Sequence, residues 1–150
     1  MILTFDVAQA LITTAHSHAA ALGARVGVAV VDQGGHLVAL GRMDGAPPLC
    51  AQIAEAKAAS IVLVGRDGAA LRQMQDAWPA FFAQVEKAAS RPLLAGAGSL
   101  LLRTEGTISG GIAVSGGQPD QDDACAEAAI NAFTNERSRP TDALDVGTRP

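Results

Sequence analysis

Tyrosine is absent, and aromatic side chains are scarce: Phe5, Trp78, Phe81, Phe82 and Phe133 are the whole set in 150 residues. A core must therefore be built from Ala, Val, Leu and Ile, which bring backbones close together and offer few large anchors. Charge is thin as well. Asp, Glu, Lys and Arg make up 17% of the chain, and the formal net charge is −4. So little polar surface leads us to expect that part of the apolar surface is covered by a second copy, in a homo-oligomer. Lys and Arg gather on no basic face, which excludes the electrostatic footprint of a nucleic-acid binder. Cysteine is limited to Cys50 and Cys125, far apart in apolar surroundings. That is too sparse for a disulfide framework and lacks the close ligand pairs of a zinc site, so two buried thiols are expected and no metal centre. The apolar run Ile108–Val114 is too short to cross a membrane, and Met1–Asp6 has no basic start. These absences together predict a cytoplasmic protein with no membrane partner.

What is present describes one folded domain. Apolar residues make up 49% of the chain, too many for disorder, and the length suits a single core. Thr4 can cap a helix over about 5–22, where Phe5, Ala8, Leu11, Ile12, Ala15, Ala19 and Leu22 recur on one face. Residues 25–32, RVGVAVVD, read as a strand, and 36–43, HLVALGRM, as its return after Gln33-Gly34-Gly35. The loop Asp44-Gly45-Ala46-Pro47-Pro48 leads to a helix over about 49–64. Two helical pieces broken at Pro79 cover 68–90, and 95–98 reads as a flexible glycine loop. A second hairpin joins 100–104 to 107–115 around Glu105-Gly106, and Asp120 is the expected cap of a last helix to about residue 136. Residues 137–150 are expected to form a flexible tail beyond a domain of residues 1–136. Two hairpins separated by helices imply an α+β domain, an antiparallel sheet with helices packed on it.

Three segments in this order, VGVAVVDQGGHLVALGRMDGAP, IAEAKAAS and GGIAVSGGQPDQDDACAEAA, resemble the signature of the GlcG/HbpS (DUF336) family, and the likeness extends over about residues 5–135. The resemblance implies a profilin-like antiparallel sheet of about four to five strands flanked by helices. It also implies a small-molecule ligand, with haem or a related tetrapyrrole foremost. Ser60 stands where the family usually has Thr, and Gly96-Ala97-Gly98-Ser99 where it usually has Gly-Gly-x-Pro. Both differences imply a reshaped pocket.

The residues that could carry chemistry concentrate after the first hairpin. Arg42 and Asp44 flank its end, Gly45 completes a turn, and Lys57 lies in an otherwise Ala-rich helix with Ser60 a turn on. A lysine among alanines is either extended to solvent or held by a buried acid, for which Asp44 and Glu55 are the candidates. The functional alternative is an anion grip in which Arg42 and Lys57 take a carboxylate such as a haem propionate. His36, at the start of the returning strand, joins the ligand-binding set. His16 and His18 cannot share one metal, since they lie two apart on a helix, but each histidine has the donor chemistry for haem iron, as do Met43 and Met74. Gly110, Gly111, Gly116 and Gly117 read as structural glycines, with the acids Asp120, Asp122 and Asp123 opposing an anion site. Nucleophile patterns are missing: Ser115 lacks the G-x-S-x-G setting. The enzymatic alternative is an isomerase, lyase or cyclase acting on a small polar or carboxylated metabolite, with Lys57 and Asp44 as the acid/base pair.

Overall fold

The computed structural model describes residues 2–138. Helix α1 (Phe5–Ala21) begins where Thr4 accepts a hydrogen bond from the Val7 N–H at 3.2 Å, and it buries Ala8, Leu11, Ile12, Ala15 and Ala19. Strands β1 (Gly27–Asp32) and β2 (Leu37–Arg42) form the first hairpin. Its turn is closed by Asp32, whose Oδ1 accepts from the Gly34 and His36 N–H groups at 2.9 and 3.0 Å. Helices α2 (Leu49–Val64), α3 (Gly68–Ala77) and α4 (Pro79–Ala88) follow, with Pro79 opening α4 where the break was expected. The second hairpin, β3 (Ser99–Thr104) and β4 (Thr107–Ser115), precedes α5 (Pro119–Ser138).

The two hairpins join into one four-stranded sheet of order β2-β1-β4-β3, antiparallel throughout. β1 lies against β4 with Gly27 opposite Ser115 and Asp32 opposite Gly110. Alternation along β1 divides the core in two. Val28 and Val30 pack with α1 and α5 on one face, and Ala29 and Val31 pack with α2 and the α3–α4 elbow on the other. A strand buried on both faces reads as a continuous apolar run, and β1 does. Both cysteines are buried and free. Among the described residues no helix is long and apolar enough to cross a membrane.

The last helix differs from expectation at its start. It opens at Pro119 rather than after an Asp120 cap, and the Gln121 side chain reaches back to accept from the Gln118 N–H at 2.9 Å. Proline at the first helical position needs no donor, and the returning side chain satisfies the preceding amide, so Asp120 is left without a capping task. At the other end α5 runs to Ser138. The rest of the expected tail lies outside the described residues.

Candidate functional site

Lys57 projects from α2 and is only 5% exposed. Its ammonium donates to the Val114 carbonyl at 2.5 Å and to the Ala97 carbonyl at 2.6 Å, tying α2 to the end of β4 and to the loop before β3. The acid beside it is Asp122, in the first turn of α5, with Oδ2 3.9 Å from Nζ. This corrects the expected partners. Asp44 is exposed in the loop after β2, and Glu55 faces Arg91 at 3.9 Å. Sequence distance concealed Asp122, because only the packing of α5 across the sheet brings it to α2.

The surrounding backbone is fitted to this pair. Asp122 Oδ1 accepts from the Gly117 N–H at 2.9 Å, and Asp123 Oδ1 accepts from the Gly98 N–H at 2.6 Å. Gly98 has φ +82°, and a Cβ there would stand 2.6 Å from the Asp122 Cβ and 2.7 Å from the Val114 carbonyl oxygen. The expected flexible glycine loop is therefore pinned by Lys57 on one side and Asp123 on the other. Burial pushes the Lys57 ammonium below the usual lysine value, opposed by the charges of Asp122 and Asp123. Burial likewise pushes the Asp122 carboxyl up, opposed by the Gly117 N–H and by Lys57. The pair opens onto a pocket of about 490 Å³ with Arg72 and Ala69 of α3, Gly96 and Pro119 in its walls.

The other expected site residues do not line this pocket. Arg42 is exposed at the end of edge strand β2, opposite Gly27. Asp44 and Gly45 follow it in the loop, both exposed, with Gly45 at φ +84°. Ser60 is fully buried and fully used: its hydroxyl donates to the Ala56 carbonyl at 2.7 Å and accepts from the Leu94 N–H at 2.8 Å. His36 sits at the opposite end of β2, its side chain 82% exposed and its Nδ1 3.3 Å from Asp32. Met43 accepts from the Val26 N–H at 3.5 Å, and Met74 packs against the α2-side core.

A second concavity lies between α1 and β2. Phe5, Gln9, Ile12, Ala39, Leu40 and Gly41 line about 330 Å³, and Phe5 is 55% exposed. His16 lies next to the lining residue Gly41, with Nε2 3.0 Å from its carbonyl oxygen. Gly41 makes this approach possible, since a Cβ there would meet Ile12 at 2.8 Å and His16 at 2.9 Å. The sequence placed His16 on the surface of α1, one of several residues with donor chemistry for iron, and only the fold sets its imidazole against Gly41 of β2.

Residues 3–131 match the family model for haem degrading protein HbpS-like. The chain belongs to the HbpS-like family. Protein GlcG of Escherichia coli K12 is 36% identical over 74 residues, a match that spans 49% of this chain and 55% of that protein. The chain thus matches about half the length of that curated relative. Among solved structures, the complex of PduOC with haem superposes with a TM-score of 0.79 at 26% identity, covering 88% of this chain and 95% of that one. HbpS of Streptomyces reticuli, in a double-mutant form, gives 0.78 at 28% identity over 89% and 88% of the two chains. The HbpS-like fold is therefore this chain's fold, and the expected sheet of four to five strands has four.

Proposed function

We propose that this HbpS-like chain is a small-ligand binding protein, with haem or a related tetrapyrrole its leading ligand. The observation that carries the reading is the likeness, along almost the whole domain, to a protein solved as a haem complex. Of the two concavities described above, the chain's own residues favour one. The Lys57 pocket offers no imidazole, thiol or thioether, and the Lys57 ammonium is already committed to two carbonyls. The α1–β2 groove fits better: Phe5, Ile12 and Ala39 are among its walls, and the His16 imidazole lies next to the wall residue Gly41, Nε2 3.0 Å from its carbonyl oxygen. When Nε2 donates to Gly41, the lone pair remains on Nδ1. A bound haem would bring redox-active iron to this groove, and His16 would be its ligand from this chain. The test is a haemin titration followed by visible absorption. A saturable Soret shift is expected, and His16→Ala should abolish or displace it while His18→Ala leaves it intact. Equal spectra for all three proteins would overturn the placement. Self-association and a cytoplasmic location belong to the same reading.

One observation favours a second reading, an enzyme moving protons on a small polar or carboxylated metabolite. Lys57 and Asp122 face one pocket, and burial lowers the proton affinity of the one and raises that of the other, which brings the pair closer to exchanging a proton. Asp44, the acid expected to pair with Lys57, is replaced in this role by Asp122.

A further inference from the structure

We propose that the Lys57–Asp122 pocket takes a short-chain hydroxycarboxylate, its hydroxyl oxygen seated between the ammonium and the carboxylate and its own carboxylate turned toward Arg72. The proposal deepens the second reading and rests on that pocket being its working site.

An ammonium has three donors, and the Val114 and Ala97 carbonyls take two of those on Lys57. Asp122 commits Oδ1 to the Gly117 N–H and leaves Oδ2 3.9 Å from Nζ, beyond a direct hydrogen bond. A ligand atom placed between them must accept from an ammonium and donate to a carboxylate. One hydroxyl oxygen does both. A carbonyl oxygen only accepts, a second ammonium only donates, and a ligand carboxylate in that position would face Asp122 as a like charge.

The mouth of the pocket argues for the carboxylate. Lys57 and Asp122 balance one another inside, whereas the α3 wall adds Arg72 and the positive end of its helix at Gly68 and Ala69. Arg72 meets Asp76 one turn along, 3.1 Å away, in a pair whose side chains are 60% and 64% exposed. Such a pair is weak in water and gives way readily to a bidentate ligand. Asp122 stands on the α5 side of the pocket, so the anionic end belongs on the α3 side.

Matched acids test this directly: lactate against propionate, malate against succinate, and citrate against tricarballylate, by calorimetry at neutral pH on the intact chain. At least one hydroxy acid should bind about ten- to a hundredfold more tightly than its deoxy counterpart, the worth of one hydrogen bond to a charged group. Arg72→Gln should weaken that binding about tenfold without moving the melting temperature of the free protein, since Arg72 is exposed. Carboxyl carbon NMR should show Asp122 shifting on saturation, a readout that needs no variant at the buried pair. No hydroxyl preference in any pair, an unmoved Asp122 signal, or full affinity in Arg72→Gln would each overturn the proposal. A hydroxy acid that binds without turnover would remove proton transfer and keep the ligand class. Turnover of a compound lacking a hydroxyl, with no hydroxy acid bound, would do the reverse.

Discussion

Lys57 holds β4, the loop before β3 and the first turn of α5 through one ammonium, and its side chain is 7% exposed beside an Asp122 side chain at 9%. Removing it leaves a buried carboxylate and two carbonyls without their cation, so Lys57→Ala should cost about 3–5 kcal/mol in urea unfolding. A stability change within experimental error would mean that the ammonium is solvated. Asp122 supports a second expectation, with pH as the variable. Its carboxyl titrates above the ordinary aspartate value in the folded chain, because burial disfavours the charge. In that window the native state binds more protons than the unfolded one, so this contribution is full below the ordinary value and is lost as pH rises through the raised one. Asn does not titrate. The stability of the parent relative to Asp122→Asn should therefore fall from acid toward neutral pH, and a rising difference would contradict the assigned direction.

At the scale of elements, glycines mark where backbones touch, and they explain what the sequence did and did not disclose. Both hairpins, the helix over 49–64 and the break at Pro79 were legible because periodicity and turn residues are local signals, and the structure has all of them. The candidate site was legible only in part. Lys57 stood out as a charge among alanines, but its partner lies on another helix, and no local pattern encodes a contact made by folding. Arg42, Asp44 and Gly45 drew attention as charge and turn chemistry near a family motif, yet they end on the exposed rim of the sheet. Gly110, a structural glycine by sequence, lies where two backbones touch: a Cβ there would collide with the Val31 carbonyl oxygen across the β1–β4 seam. The obstacle is backbone, which cannot rotate away, so Gly110→Ala should cost about 1–3 kcal/mol through forced separation of the central strands. Gly106, with no atom within 4 Å of an added Cβ but φ +81°, is the control for conformational strain alone. A Gly110→Ala protein as stable as the parent would show that the seam relaxes freely.

For the whole molecule, the scarcity of aromatics and charge returns as a question about what covers the surface. Phe5, Trp78 and Phe81, three of only five aromatic residues, are 55%, 59% and 54% exposed, so the largest side chains are largely spent outside the core. Edge strand β2 adds Leu37 and Leu40 at 43% and 42% exposure. Its outer edge has no strand neighbour in the four-stranded sheet, and an edge strand with exposed leucines invites a second copy. We therefore expect at least a dimer by light scattering at micromolar concentration, and Leu40→Lys should shift the mass toward the monomer, because a lysine on an edge blocks strand addition without disturbing the core. The haem groove proposed above shares this edge through Leu40 and Gly41. Two events on one surface are thermodynamically coupled, and the coupling is reciprocal. If haem is held between α1 and β2, the average mass must respond to haemin, and Leu40→Lys must alter haem affinity as well as assembly. A monomer mass at micromolar concentration would remove the proposed self-association. A dimer whose mass ignores haemin, and whose haem affinity ignores Leu40→Lys, would place either the interface or the haem on another face of the protein.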